Sequence, residues 1–400
     1  MINISRPHVI FALLFLALPI VPLEAWARIK LITLPVRERV EIQLDHPQAT
    51  LVEEERIVPL VKGINQVDFS WANTRISPDS LIFRVLNTSE TPDQAVKVLS
   101  VSYPPNENSL VWAVSSPHSG SAQVRISYIL DGLEKEFHYR ATATHDEKKL
   151  NLAQYLRLKN LANEEYKESS ISVGFGDQLT RSVGIDETKD LLVTRYPEVM
   201  VRKTYTADLA QYGYLDAAKK KLKIPMHYVL KNDTTNGLGK ASLPFGKTRI
   251  FQEDGHGGTA FVGEDWGKFT PQDDEMSLYL GVARDIVVKR TIDRNERKRI
   301  NGNLYDYDLI VKYEIENFKE SPVTLDIGET LRELRAELGY QNQRDVECEL
   351  GPETTLLGKP DAEKSDADHL LFHVDLPAKK PESKPDKQIC KLHILMKNEW

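Results

Sequence analysis

The chain has 400 residues, 41% of them hydrophobic, and a formal charge of 52 minus 59, or -7. That length and apolar content can bury a sizeable core and favour two or three domains over one. The acidic balance argues against DNA or RNA as partner, because phosphate binding needs clustered Lys and Arg.

Residues 1–27 read as a signal peptide. Arg6 and His8 sit in a short polar head, an apolar run extends from Val9 to Leu18, Pro19 and Pro22 interrupt it, and Ala25-Trp26-Ala27 is an A-x-A cleavage site. A membrane anchor needs about 20 apolar residues, more than this run supplies. Export with cleavage after Ala27 is expected, with no membrane span in the mature chain and a periplasmic, secreted or cell-surface location.

In the domain assigned to 28–104 the pattern from Val36 to Tyr103 is short and extended, as in Val40, Ile42 and Leu44 alternating with Glu41 and Gln43. It reads as an N-terminal β-domain. The consecutive Pro104 and Pro105 exclude helix and central strand, so 102–108 is the best linker and marks a domain boundary at 104. A second β-sandwich-like domain is assigned to 105–200. Within it Val124, Ile126, Tyr128 and Leu130 share a face, and Asp131-Gly132 has the form of a type I′ turn leading to Phe137 and Tyr139 in a hairpin. The alternating stretch Leu150 to Lys159 is expected to pair with Ile171 to Phe175.

A third β-sandwich-like domain is assigned to 201–400. Ala207 to Lys223 is its first helix candidate, although Tyr212-Gly213-Tyr214 breaks the register and favours a structured loop equally. Residues 226–285 read as a β-meander. Asn232-Asp233-Thr234-Thr235-Asn236-Gly237 is a turn cluster, and Asp254-Gly255-His256-Gly257-Gly258 separates Lys247 to Gln252 from Thr259 to Gly263 as a glycine-loop hairpin. Tyr307, Leu309, Val311, Tyr313 and Ile315 alternate with mostly polar residues, the mark of an antiparallel strand with one wet face. Leu331 to Leu338 reads as a short helix. Cys348 and Cys390 both fall on apolar phases of strand-like patterns, and in an oxidising envelope they are expected to pair. The closed loop would be worth about 4 kcal/mol in the chain-entropy account.

The run Asn232…Gly237-Leu238-Gly239…Leu243-Pro244-x-Gly246…Arg249-x-Phe251…Asp254-Gly255…Phe261-Val262-Gly263-Glu264-Asp265…Thr270-Pro271…Leu280-Gly281…Asp285 resembles the central signature of DUF4139, a family of secreted bacterial β-proteins of unknown function. The similarity extends back to Ser127-Tyr128-Ile129-Leu130-Asp131-Gly132 and forward to Leu371-Phe372-His373-Val374-Asp375-Leu376-Pro377, about three quarters of the chain. Longer members, some named mucoidy inhibitors, carry a coiled coil ahead of this domain. No sustained heptad occurs here, and the resemblance implies no catalytic residues.

Several constellations invite chemistry. Gly246-Lys247-Thr248 ends like a phosphate-binding loop, but Ala241 stands where that motif needs glycine. Asp254, His256, Glu264 and Asp265 are the candidate catalytic set, with Asp273, Asp274 and Glu275 as further carboxylates for a hydrolase. Arg290, Arg294, Arg297 and Arg299 are candidate anion ligands on a charged hairpin tip between strands ending near Arg290 and starting near Tyr305. Trp71, Trp112 and Trp266 read as core positions. No cofactor or metal is expected, since no pair has recognised ligand spacing.

The expected protein is therefore all-β, with antiparallel β-sandwich-like domains in tandem and very little helix. Its expected role is a non-catalytic binding or structural module whose partner is an envelope protein or polysaccharide. The alternative is a hydrolase of envelope polysaccharide or peptide acting through loop carboxylates.

Overall fold

The computed structural model describes residues 30–86, 95–302, 304–339, 347–355 and 360–399. The leader assigned to 1–27 lies outside them. The chain forms two compact units, one from the described residues before Gln43 with Leu51–Asp131, the other from Gln43–Thr50 with everything after Asp131.

The first unit contains β1 (Lys30–Thr33), β2 (Arg39–Gln43), β3 (Thr50–Leu60), β4 (Gly63–Ser70), β5 (Ile82–Val85), β6 (Lys97–Ser102), β7 (Ser109–Ser116) and β8 (Gly120–Leu130). One sheet has the order β1-β4-β7-β6, and β2, β3, β8 and β5 are neighbours in another. Alternation sends Val67 and Phe69 of β4, Trp112 of β7 and Ile126 and Tyr128 of β8 inward. Phe83 meets Trp112 at 4.9 Å and Phe69 meets it at 5.8 Å, an aromatic core. β6 and β7 pair antiparallel across 103–108. Pro104-Pro105 thus makes a loop within one sheet instead of a linker between domains.

The chain changes units at Asp131-Gly132. β8 and β9 (Leu133–Ala143) belong to different sheets, so this dipeptide is a crossing and not the turn of a hairpin. Gly132 has φ +91°, and a Cβ there would lie 2.9 Å from the Leu161 carbonyl carbon. Only glycine fits.

The second unit continues with β10 (Lys149–Asn160), β11 (Tyr166–Ser172), β12 (Leu179–Val183), β13 (Thr188–Met200), β14 (Arg202–Asp208), α1 (Leu209–Tyr212), β15 (Tyr214–Asp216), β16 (Lys221–Leu222) and β17 (Pro225–Lys231). Then come β18 (Gly246–Glu253), β19 (Thr259–Gly267), β20 (Glu275–Val282), β21 (Ile286–Asn301), β22 (Leu304–Asn317), β23 (Val323–Thr330), α2 (Leu331–Glu337), β24 (Glu347–Leu350), β25 (His369–Leu376) and β26 (Lys387–Glu399). Three sheets result, ordered β13-β10-β9-β18-β19, β20-β17-β14-β23-β25 and β15-β16-β21-β22-β26-β24. Most pairings are antiparallel, with β9–β18 and β14–β23 parallel. The all-β class expected from the sequence is present, and α1 and α2 are the only α-helices among the described residues.

Two apolar layers hold these sheets together. Tyr139, Ala141, Leu150, Leu152 and Ile250 pack on Tyr228, Leu230 and Leu278. Leu325, Ile327 and Phe372 pack on Leu309, Val311, Tyr313 and Leu392. Each Val, Leu, Ile or Phe among them, fully buried, stabilises the fold by roughly 1.5–3 kcal/mol. The alternation read over 307–315 becomes β22, and the helix read at 331–338 becomes α2.

Other expectations give way. β10 pairs with β9 and β13, and not with the 171–175 stretch. Residues 207–223 form one helical turn, in which the Asp208 carboxylate accepts from the Gln211 N–H at 3.0 Å, and then the small β15–β16 hairpin. Cys348 lies opposite Met396 on β26, six residues from Cys390 on that same strand. At about 3.4 Å per residue the cysteines stand about 20 Å apart, whereas a disulfide needs Cα atoms within about 7 Å. The expected bridge does not form, and burial pushes the Cys390 thiol up to about 11.

Candidate functional site

The expected β18–β19 hairpin exists, but it disperses its acids. At its tip Asp254 accepts the N–H groups of His256 at 2.8 Å and Gly258 at 2.9 Å, and these donors hold its carboxyl below the ordinary range. Glu264 is five residues along β19 from Thr259 at the tip end of the strand, about 17 Å at strand rise, and takes the Lys247 ammonium at 3.2 Å. Asp265 points to the other face, where it accepts the Tyr279 N–H at 2.7 Å. His256 stays exposed in the turn. The structure does not bring Asp254, His256, Glu264 and Asp265 together. Asp274 accepts the Glu275 N–H at 2.7 Å, and Glu275 pairs with Lys364 at 3.1 Å, so the second acidic group is also engaged locally.

The arginine run is not a hairpin tip. β21 continues through it to Asn301, and each arginine meets a different partner. Arg290 is 1% exposed and grips Glu329 with Nε at 2.9 Å and Nη2 at 2.6 Å, while Nη1 reaches Glu337 at 2.7 Å. Tyr313 donates its hydroxyl to the same Glu329 carboxylate. Burial alone would favour a neutral Arg290, and Glu329 outweighs it, so its pKa moves up and the charge persists. Arg294 pairs with Asp308 at 2.8 Å and Glu353 at 2.7 Å. Arg297 lies 4.6 Å over the Tyr305 ring, and Arg299 donates to the Gly302 carbonyl at 2.6 Å. These contacts make the run a structural seam.

A groove of about 880 Å³ opens elsewhere in the second unit, lined mainly by apolar side chains. Residues 44–47 form one wall, and the Lys135 ammonium ties them to β9 through the Leu44 and His46 carbonyls. Phe137 and Phe175 face each other at 5.7 Å. Opposite them Phe245 and Trp266 stack at 5.0 Å with planes 5° apart, and Phe269 stands beside them. Phe245, Trp266 and Phe269 are 56%, 45% and 61% exposed. Trp71 and Trp112 are core residues as expected, whereas Trp266 is not.

Local chemistry positions this shelf. Asn232, wholly buried, donates its amide to the carbonyls of Ala241, Thr270 and Pro271 at 3.0, 3.2 and 2.9 Å and accepts the Gly239 N–H at 2.9 Å. It therefore pins both segments that carry the exposed rings. The Tyr139 hydroxyl holds the Pro244 carbonyl at 2.7 Å. At Gly246 a Cβ would meet the Phe137 carbonyl oxygen at 2.4 Å, so glycine is what lets β18 lie against β9. Reading the sequence for core alternation missed this site. Its one local signal is an aromatic between Pro244 and Gly246, where neither neighbour can shield it.

A histidine clamp lies apart from the groove. His373 bridges Asp326 at 2.7 Å and Asp361 at 2.9 Å, and the Asp361 N–H bonds the Leu371 carbonyl at 2.8 Å. Partial burial pulls the imidazole pKa down, but the two carboxylates outweigh it and the net shift is upward. A folded pKa above the unfolded value contributes stability below about pH 6.5 that is lost as pH rises through the folded pKa. Protection of the 360–368 amides, measured as exchange relative to the intrinsic rate at each pH, should fall across that rise, and His373→Gln should flatten that profile. Protection that does not change with pH in the wild-type chain would remove the clamp. Among the described residues no group of three or more His, Cys, Asp and Glu is arranged to hold a metal ion.

Compared with known proteins, the chain matches no family model and no curated protein.

Proposed function

We propose that the protein is an exported, non-catalytic binding module of the bacterial envelope, export being what the DUF4139 resemblance implies. Its recognition site is the groove, and its ligand is an apolar, aromatic-bearing segment of another envelope protein. The supporting observation is the set of rings left open at the groove's edge. Three large aromatics, each about half exposed or more, are held by a buried amide and a stacked pair. Rings fixed in this way lose little entropy on binding, which is how hot-spot residues act.

The lining also favours a protein segment over a sugar. It offers few polar groups, and the Lys135 ammonium is already engaged by two carbonyls. A hydrolase would need its acids in one cleft, and those of β18–β19 are spread along a hairpin. Turnover of envelope polysaccharide that Glu264→Gln abolishes would nevertheless overturn the binding reading.

The test is selection of displayed random peptides on the purified mature chain. Selected peptides should carry aromatic or aliphatic anchors. Phe269→Ala or Phe175→Ala should each weaken them by about 2 kcal/mol, roughly thirtyfold in Kd. Peptides indifferent to both variants would show that the groove is not the site.

A further inference from the structure

The sheet β13-β10-β9-β18-β19 uses one face for the core, through Tyr139, Leu152 and Ile250. The residues between these point the other way, and the strand register aligns them in rows across the sheet. One row runs Leu192, Tyr155, His138, Lys247, Trp266. The next runs Arg195, Ala153, Arg140, Arg249, Glu264. In a third, Thr142 stands beside Phe251, which faces Phe261.

Rings and cations alternate in contact on this face. His138 stacks on Tyr155 at 5.2 Å with planes 7° apart, Lys247 lies 5.2 Å over Trp266, and Arg140 lies 4.6 Å over Phe251. Phe261 meets the same Phe251 edge-on at 5.6 Å and is 60% exposed. Arg140, Arg195 and Arg249 are all exposed.

The charges are not balanced within the row. Glu264 lies 3.8 Å from Arg249 and also takes Lys247. Among the described residues Arg140 and Arg195 have no ion pair. Arg140 and Arg249 stand directly opposite each other across the parallel β9–β18 pairing, a placement of like charges that destabilises a sheet. An anion lying between them would relieve that repulsion.

We infer that this open sheet face is a second binding surface, for an acidic polysaccharide whose carboxylates meet Arg140, Arg195 and Arg249 while its sugar rings lie on the Tyr155–His138 and Phe251–Phe261 aromatics. Single-stranded nucleic acid combines anions and planar rings in a similar way. It is the competing outcome of the test: the acidic chain opposes both polymers alike, and a row of cations that ends in Glu264 falls short of the clustered Lys and Arg that a phosphate backbone needs. The inference does not depend on what fills the groove.

The experiment is electrophoresis of the mature chain through gels containing polygalacturonate, neutral dextran or a single-stranded oligonucleotide. Polygalacturonate should retard the wild-type chain and dextran should not, with the retardation falling as salt rises. Arg140→Glu should weaken polygalacturonate binding roughly tenfold or more while leaving Tm unchanged or higher, since the introduced carboxylate faces Arg249. Phe261→Ala should weaken binding too, and the groove variant Phe269→Ala should not. The inference fails if polygalacturonate does not retard the wild-type chain or dextran retards it equally. It also fails if Arg140→Glu binds as well as wild type, or if the oligonucleotide binds more tightly than the glycan.

Discussion

Glu329→Ala is expected to lower the stability of the second unit by about 3–5 kcal/mol, the range for stranding one partner of a buried ion pair. The variant leaves the Arg290 guanidinium inside the protein without both of its hydrogen bonds to Glu329 and leaves the Tyr313 hydroxyl without its acceptor. Glu337, at 2.7 Å, would remain as the single counter-charge. Urea unfolding measures the loss as a drop in midpoint at constant slope. The joint replacement Arg290→Met with Glu329→Leu should recover much of it, because the charge is removed together with its partner. A double variant as unstable as Glu329→Ala would mean that the seam does more than neutralise itself.

Asn232→Ala should be the other large effect, about 3 kcal/mol, since each buried polar group left unmatched costs roughly 1–3 kcal/mol. The lost amide served three carbonyls and one N–H from residues 239–271. Gly239, at φ +78° with the Thr234 nitrogen 2.5 Å from where a Cβ would lie, cannot shift to compensate. Calorimetry should show a lower Tm. Peptides that bind the groove should lose affinity as well, because Phe245 and Phe269 sit on the segments that Asn232 joins. A variant with wild-type Tm and binding would show that these loops hold their shape without it.

Strand faces were legible in the sequence, and strand partners were not. Period-two alternation correctly sent Leu309, Val311 and Tyr313 inward, because the pleat is a local property. The same alternation in Leu150 to Lys159 carries no information about pairing, so the neighbours β9 and β13 could not be read from it. Asp131-Gly132 has the composition of a tight turn, yet tertiary packing uses the glycine for a crossing.

Charge was misread for a related reason. A run of arginines looks like solvated surface until Glu329, 39 residues away, is found against Arg290. The groove draws its rings from four separated segments, at Phe137, Phe175, Phe245 and the Trp266–Phe269 stretch. No window of sequence contains it. In the sequence Asn232 reads as a turn former, and its amide bonds to Thr270 and Pro271 depend on a loop closure that only the fold reveals.

Residues 43–50 belong with chain that is synthesised much later, through the Lys135 tether and the Leu44 N–H to Ser172 carbonyl bond at 2.8 Å. The second unit therefore cannot be completed in simple order from the amino end. The octapeptide Gln43–Thr50, which links β2 to β3, must wait for partners that emerge more than eighty residues afterwards. A fragment starting at Gly132 would lack the Leu44 to Pro47 wall of the groove, and supplying that octapeptide in trans should help to restore it.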